Sequence, residues 1–224
     1  MQRTRNQLVS HARLVAGGGS CAPLMPSVGR FEMETLLMNA LREEMSEWLT
    51  FLENQVMSLR TNQHIFWEVQ GIIRNNPKID KPNDFYGWMA EMYAAAMSVA
   101  VRKMTDKDRR AKSFRRFLEE LKSNPTVGRY PVDQSVIEDQ IEALERQTES
   151  VKKFVDKRIA HHERMEFKDL PTFKELDDAI THLEQLLQHY SPLFTGMGLH
   201  SALPTWQYDW KEVFYYPWIE NKPQ

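Results

Sequence analysis

The chain has 224 residues, of which 42% are hydrophobic and 27% are charged, as is ordinary for a packed globular domain. Its formal net charge of −2 provides no overall positive field, so a nucleic-acid partner would have to be held by a local basic patch. A single cysteine, Cys21, excludes an intramolecular disulfide and a Cys-based zinc site, and no apolar run is long enough to span a membrane, so we predict a cytoplasmic protein.

Residues 1–30 differ from the rest because they contain four arginines, no acidic residue and the run Gly17-Gly18-Gly19-Ser20. Such a composition is typical of targeting peptides. We favour two other interpretations, which are a flexible tail and sequence upstream of a true start at Met33. The predicted organisation is a flexible N-terminal segment (1–30), a helical bundle domain (31–190) and a C-terminal tail packed on the bundle (191–224).

Apolar residues recur every three or four positions over most of the chain, which predicts helices. A first helix is predicted over 32–59 and a second over 65–74, where Asn75-Asn76-Pro77 ends it. A third is predicted over 85–104 with Asp84 as its N-cap. Because this third helix is apolar nearly all round, we expect it to be buried in the middle of a bundle. A fourth helix is predicted over 109–122.

The fifth predicted helix has the most regular pattern. Asp133 or Ser135 can cap it, and Glu138 follows Ser135 at the spacing of a capping box. Its apolar stripe has alternating steps of four and three: Ile137, Ile141, Leu144, Thr148, Val151, Val155, Arg158 and His162. A sixth helix opens at Pro171-Thr172 with Glu175, and its pattern ends at Ser191-Pro192. Long helices with short connections predict an all-α, antiparallel helical bundle.

The stripe of the fifth helix becomes polar at its end. Arg158 and His162 lie one turn apart on the same face, and His161 lies at its edge. A histidine can move a proton to or from a 2′-hydroxyl near neutral pH, and a guanidinium can hold a phosphate, so these residues suit RNA cleavage without a metal. The competing interpretation is that the helix emerges into solvent there, with basic residues favourably placed at its C-terminal end.

Other charged residues give weaker signals. Adjacent histidines on a helix diverge by about 100°, so His161 and His162 cannot both face one ion, and we predict neither a metal site nor a cofactor. Glu68 lies among apolar residues and is expected to pair with a basic side chain, for which Arg158 is a candidate.

A basic cluster near the third and fourth helices is a candidate RNA contact surface, with solvated charge as the alternative. Its members are Arg102, Lys103, Lys107, Arg109, Arg110, Lys112, Arg115 and Arg116, from which we select Arg102, Lys103, Arg109 and Arg110 as RNA-binding candidates. The C-terminal tail is rich in aromatic residues, which are expected to pack on the bundle or on a partner subunit; stacking of single-stranded bases is the alternative.

Several segments between roughly Glu53 and Ile219 together carry a resemblance. They are Ile65-Phe66-Trp67-Glu68-Val69, Ile72-Ile73-Arg74-Asn75-Asn76-Pro77, Asp84-Phe85-Tyr86-Gly87-Trp88, Asp156-Lys157-Arg158-Ile159-Ala160-His161, Pro171-Thr172-Phe173 and Asp209-Trp210-Lys211-Glu212-Val213-Phe214. In order and spacing they resemble the AbiU-type abortive-infection branch of the HEPN superfamily. The resemblance implies a helical bundle, commonly a homodimer whose active-site helices face each other, and a metal-independent RNase of phage defence or toxin–antitoxin systems.

The signature of that superfamily is an arginine, four to six residues and then a histidine. Here the positions at that spacing before His161 and His162 hold no arginine; Lys157 is the one cation there, and Arg158 lies closer to the histidines. The resemblance therefore implies His161 or His162 as the acid/base and Arg158 or Lys157 as the phosphate-holding cation. The alternative is a catalytically inactive helical dimer that binds a protein, such as an antitoxin, or a nucleotide.

Overall fold

The computed structural model of the chain describes residues 28–159 and 171–216. Within these ranges every regular element is a helix, which confirms the predicted all-α class. The elements are α1 (Val28–Arg74), α2 (Asp84–Met104), α3 (Phe114–Ser123), α4 (Gln134–Gln147), α5 (Glu149–Phe154), the π-helical segment π1 (Val155–Ile159), α6 (Phe173–Thr195) and a C-terminal 3-10 helix (Trp210–Tyr215). Helix α6 packs against α2, α4 and α5, and α3 packs against α4, which agrees with a helical bundle.

The chain divides into two compact units, residues 1–38 and 39–224. In the first unit, residues 28–38 are helical, and the apolar side chains of Met33, Leu36 and Leu37 are exposed. The second unit contains all the elements from α2 onward and the candidate functional site. Across the described ranges of both units, no helix combines the length and the apolar composition that crossing a membrane requires.

The first two predicted helices form one continuous helix, α1, so the predicted break between them is wrong. Residues 60–64 are polar but include no proline or glycine, and polar composition alone does not end a helix. Their side chains have partners on α6. The Arg60 guanidinium lies 2.9 Å from the Glu184 carboxylate, and the Gln63 amide donates to Asp177 at 2.6 Å. The polar interruption of the apolar pattern therefore marks tertiary contacts.

Helix α2 departs from its prediction at the N-cap and in its burial. Asn83, rather than Asp84, is the cap, and its side chain accepts a hydrogen bond from the Phe85 N–H at 2.9 Å. The expectation of burial along the whole helix is wrong for the first half, where Phe85, Trp88 and Met92 are exposed. Only the second half packs in the core, and its buried residues are Met97, Ser98, Val101 and Met104.

The fifth predicted helix is divided into α4, α5 and π1. Of the two caps that the sequence allowed, Asp133 is the one used, since it accepts from the Ser135 N–H at 2.9 Å. The division occurs at the buried Thr148, whose hydroxyl donates to the Leu144 carbonyl at 2.7 Å. The predicted stripe is nevertheless buried at Ile137, Leu144, Thr148, Val151 and Val155.

Side-chain caps fix the starts of α3 and α6. The predicted start of the fourth helix near 109 is wrong, because Ser113 is the N-cap of α3 and accepts from the Arg116 N–H at 3.1 Å. The predicted opening of the sixth helix is confirmed. Thr172 and Glu175 form a capping box, in which each side chain bonds the other residue's backbone N–H.

Helix α6 continues through Pro192 to Thr195, beyond the predicted end of the pattern. The proline lacks the N–H that would complete a turn. Burial of Phe194 offsets this loss, because its ring lies 5.7 Å from the ring of Phe117 in the core. Gly196 ends the helix with a φ of 76°, a conformation that favours glycine.

The described part of the C-terminal tail lies against α1 and α6. The Glu184 carboxylate accepts a hydrogen bond from the Ala202 N–H at 2.7 Å, and both groups are buried. The Trp206 ring stacks on His64 with ring centroids 5.9 Å apart. Through the contact of Trp206 with His64, the tail therefore reaches residues 60–64 of α1. This is the stretch where a break between two helices was predicted and where the helix is continuous.

Candidate functional site

The segment predicted to carry chemistry adopts an uncommon backbone conformation, the π-helix π1. Single π-helical turns within α-helices occur frequently at functional sites. Lys157 is exposed in π1, and Arg158 belongs to the same segment. The other two predicted catalytic residues, His161 and His162, lie outside the described residues.

Arg102, at the end of α2, reaches π1. Its Nε lies 2.9 Å from the Asp156 Oδ1, and its Nη1 lies 3.9 Å from the Asp106 Oδ2. The Arg102 and Asp156 side chains are both partly exposed, at 28% and 51%. One of the predicted RNA-binding residues thus contacts the predicted catalytic segment, although the two are 54 positions apart.

A second group of charges lies beside this pair. The carboxylate of Glu145, in α4, is 2.7 Å from the Lys107 ammonium and 3.1 Å from the Arg115 guanidinium. These two cations, led by the hydrogen bond from Lys107, lower the pKa of Glu145. Glu145 therefore stays ionised and holds α4 to the segments before and within α3.

Lys152, in α5, is affected both by partial burial and by the charges around it. Its pKa lies below the ordinary value, first because partial burial disfavours the charged ammonium and second because the cations Lys107 and Arg102 are near. The carboxylates Glu145 and Asp156 act in the opposite direction without cancelling this effect. Since burial is the largest cause, the lowered pKa does not by itself identify an anion site; it shows that Lys107 and Arg102 are close enough to Lys152 to affect its charge.

The remaining RNA-binding candidates differ in their environments. The Arg110 guanidinium donates to both carboxylate oxygens of Asp108, at 3.1 and 2.7 Å. That pairing, with the backbone N–H of Arg110, lowers the pKa of Asp108 to about 2. Lys103 is exposed in the last turn of α2, and Arg109 is exposed in the turn that follows. Several cations of the predicted basic cluster are therefore paired with carboxylates. Some of these carboxylates are close to the cation in sequence, and others are distant.

Glu68 has a basic partner, as expected, and among the described side chains that partner is Lys211. The Lys211 ammonium of the 3-10 helix donates to the Glu68 carboxylate, and it lowers the pKa of Glu68 while its own pKa is raised. Lys211 also lies 5.7 Å from the Trp210 ring centroid. The sequence could not identify this pair, because the two residues are 143 positions apart.

The HEPN-class family model AbiU2 matches residues 42–213. The chain belongs to the AbiU2 family. The match runs from the middle of α1 to the 3-10 helix and includes both partners of the Arg102–Asp156 pair. It confirms the resemblance drawn from the short segments. No curated protein and no solved structure matches the chain.

Sequence reasoning did not single out Lys152 and Glu145, which lie near the predicted segment. Lys152 follows a buried stripe position, Val151, and its closeness to Lys107 depends on packing between α2 and α5. Within the described residues, no group of three or more His, Cys, Asp or Glu side chains is placed to hold a metal ion. The described part of the site consists of cations and carboxylates that pair with one another near π1.

Proposed function

We propose that this AbiU2-family chain binds RNA at π1 and cleaves it without a metal ion, as part of phage defence or a toxin–antitoxin pair. The observation that carries the proposal is the contact of Arg102 with Asp156 in π1, at 2.9 Å. This contact places the Arg102 guanidinium beside the segment that contains Lys157 and Arg158. The parallel N–H groups of a guanidinium can bind two oxygens of a phosphate. The exposed Asp156 is a partner that a phosphate would displace.

The potential around Lys152 supports an anionic ligand. Lys107, Arg102 and Lys152 are close enough for their charges to disfavour one another, and a phosphate would relieve that repulsion. Lys103 and Arg109 are exposed next to Arg102 in the chain and would extend the contact along the RNA backbone. Backbone contacts of this kind position RNA without selecting its sequence.

In the proposed reaction the 2′-oxygen bonds to the adjacent phosphorus as the bond from phosphorus to the 5′-oxygen breaks, and the 5′-oxygen leaves with a proton. A histidine moves the proton of the 2′-hydroxyl, and a cation holds the phosphate. His161 or His162 takes the first role, since a histidine titrates near neutral pH. Arg158 or Lys157 takes the second, and Arg102 assists by offsetting negative charge on the pentacoordinate phosphate.

Purified full-length chain incubated with total cellular RNA and EDTA tests this function. We expect the wild type to cleave RNA and His161→Ala/His162→Ala to lose cleavage. His189→Ala removes an exposed histidine of α6 and should cleave like the wild type. Equal cleavage by the wild type and the double variant would refute the catalytic assignment.

Arg102→Ala separates RNA binding from catalysis. We expect it to weaken binding of a labelled single-stranded RNA and to reduce the salt dependence of binding, since one phosphate contact is lost. Arg74→Ala, at the exposed end of α1, is the matched control. Unchanged RNA affinity in Arg102→Ala would remove Arg102 from the proposed surface.

A second candidate function is a catalytically inactive helical module that binds a protein, such as an antitoxin, or a nucleotide. The pairing of Arg102, Arg110 and Lys107 with carboxylates favours it, because balanced cations attract RNA less strongly. In that case Arg158→Ala weakens partner binding or homodimer formation without changing RNA degradation. Light scattering of the wild type and the variant, alone and with the partner, distinguishes the two candidates.

A further inference from the structure

The first half of α2 combines exposed aromatic rings with exposed carboxylates. Trp88 is exposed over 55% of its surface, and its ring contacts that of Phe85 with centroids 5.7 Å apart. Asp84 and Glu91 are exposed on the same half of the helix, and neither has an ion-pair partner among the described residues. Residues 84–92 contain no cation. This surface is therefore both apolar and negatively charged.

These groups share a groove at the start of α2. The groove is lined by Pro82, Asn83, Asp84, Gly87, Trp88 and Glu91. The last four follow the spacing i, i+3, i+4 and i+7, which keeps residues on one face of a helix. The space over Gly87 is open, since a Cβ atom placed there would contact nothing within 4 Å. A ligand can therefore approach the helix closely between the two carboxylates.

The chemistry of the groove suits a cation and disfavours RNA. Two carboxylates without counter-ions repel a phosphate, so this surface is separate from the proposed RNA contact near π1. A guanidinium lies favourably on the face of an indole ring, and it can donate hydrogen bonds to a carboxylate at the same time. An arginine side chain therefore matches Trp88 and a neighbouring carboxylate better than the compact ammonium of a lysine does.

The distance between the carboxylates selects the conformation of the ligand. Asp84 and Glu91 are seven positions apart, which is about 10 Å along the helix axis. In a polyproline II segment every third side chain points to the same side, and residues three positions apart are separated by about 9 Å. Two arginines with two residues between them can therefore reach both carboxylates. Proline-rich segments adopt this conformation before binding, and they dock on grooves that contain aromatic rings.

We propose that this groove binds a partner protein through an extended basic segment of the form Arg-Pro-Pro-Arg. One arginine pairs with Asp84 and the other with Glu91, and one of the two guanidinium groups also lies on the Trp88 ring. The prolines occupy the open space over Gly87. The site uses none of the cations near π1 and requires neither RNA binding nor RNA cleavage, so it goes beyond the proposed function.

Nuclear magnetic resonance of the full-length chain tests the location of the site. The chain has six tryptophans, so the indole N–H signals are few, and Trp88→Phe identifies the signal of Trp88. We expect the capped peptide Gly-Arg-Pro-Pro-Arg-Gly to shift this signal progressively until the site is saturated. The same peptide with glutamates in place of both arginines should leave the signal unchanged.

Fluorescence anisotropy of the labelled peptide measures how each group contributes to affinity. Glu91→Gln removes one exposed ion pair and should raise the dissociation constant about fivefold. Gly87→Leu fills the groove without changing its charge, and it should raise the dissociation constant more than Glu91→Gln does. Leucine favours a helix more than glycine, so this variant should fold. Glu142→Gln removes an exposed carboxylate of α4 and should bind like the wild type.

Three results would overturn the proposal. A Trp88 signal that does not respond to the peptide would mean that the groove is not a site for it. Unchanged affinity in Gly87→Leu, with helix content verified by circular dichroism, would place the contact on another surface. Equal affinity for a peptide with its two arginines adjacent would mean that general charge attraction holds the peptide. None of these results bears on RNA cleavage, so the two proposals fail separately.

Discussion

His182 is an ionisable residue on the partly buried side of α6. Its Nε2 is buried, with no hydrogen-bond partner among the described residues. Burial is the main reason why the pKa of His182 is lowered, and the nearby Arg146 contributes in the same direction. The neutral imidazole is therefore the form that the folded protein accommodates.

This lowered pKa makes stability depend on pH. The unfolded chain titrates near the ordinary value of about 6.5, whereas the folded chain takes up the proton only at lower pH. As the pH falls below the unfolded value, the unfolded state binds more protons and the free energy of unfolding decreases. We expect His182→Gln to reduce this decrease between about pH 6.5 and pH 5, as measured by urea unfolding.

The exposed residue His189, seven positions later on α6, supplies the control for this measurement. His189→Gln removes an exposed imidazole of the same helix without opening a buried site. An identical pH dependence in His182→Gln and the wild type would contradict the assignment of the effect to His182.

At the scale of single elements, a buried cap fixes the start of α3. The Ser113 side chain is fully buried, and its Oγ accepts from the Arg116 N–H and donates to the Asp106 carbonyl at 2.6 Å. Ser113→Ala removes both bonds, so we expect the free energy of unfolding to fall by about 2 kcal/mol, the upper end for loss of a cap. Thermal and chemical unfolding measure this change.

Ser123, the last residue of α3, offers a matched control. It is exposed, and its hydroxyl donates a hydrogen bond to the Glu119 carbonyl within the same helix. Ser123→Ala should change stability by no more than a few tenths of a kcal/mol. Equal decreases in the free energy of unfolding for Ser113→Ala and Ser123→Ala would mean that the Ser113 cap does not stabilise α3.

The periodic elements could be predicted from the sequence, and the departures from periodicity could not. The stripe is buried as expected at Ile137, Leu144, Thr148, Val151 and Val155, because helical spacing determines which side chains share a face. The break at Thr148, whose hydroxyl donates to the Leu144 carbonyl, and the π-helical turn at Val155 depend on individual hydrogen bonds that residue types do not specify. Residues 60–64 were wrongly predicted to separate two helices, because the groups that pair with Arg60 and Gln63 lie on α6.

The sequence offers a candidate site but not the tertiary contacts around it. The polar end of the stripe is what predicts a site in the segment of Lys157 and Arg158, and that assignment stays a prediction. The contact of Arg102 with Asp156 and the effect of Lys107 on Lys152 depend on packing between distant segments. Local patterns carry no information on such pairs.

At the scale of the whole molecule, Glu184 joins three segments of the second unit. One of its carboxylate oxygens pairs with Arg60 of α1 at 2.9 Å, and the other accepts from the Ala202 N–H of the tail at 2.7 Å. The side chain is only 10% exposed, so its partners could not be replaced readily by water. Contacts between residues this far apart form only when the chain has folded.

Removal of this carboxylate should be costly. We expect Glu184→Ala to lower the free energy of unfolding by about 3 kcal/mol, because Arg60 loses its carboxylate and the buried Ala202 N–H loses its acceptor. Limited proteolysis should also cleave the tail near Ala202 faster. Asp178→Ala, on the exposed side of the same helix, removes a surface pair with Lys174 and should have little effect. Similar losses for both variants would contradict the joining role of Glu184.

The conformation of π1 has a consequence for the length of the chain in this region. A π-helical turn contains about one residue more than an α-helical turn, so π1 is equivalent to an α-helix that has absorbed a single insertion. Loss of one residue between Val155 and Ile159 would restore α-helical geometry and rotate the last side chains of the segment by about 100°. A chain one residue shorter after Asp156 would thus keep the contact with Arg102 and turn the residues that follow it to a different face.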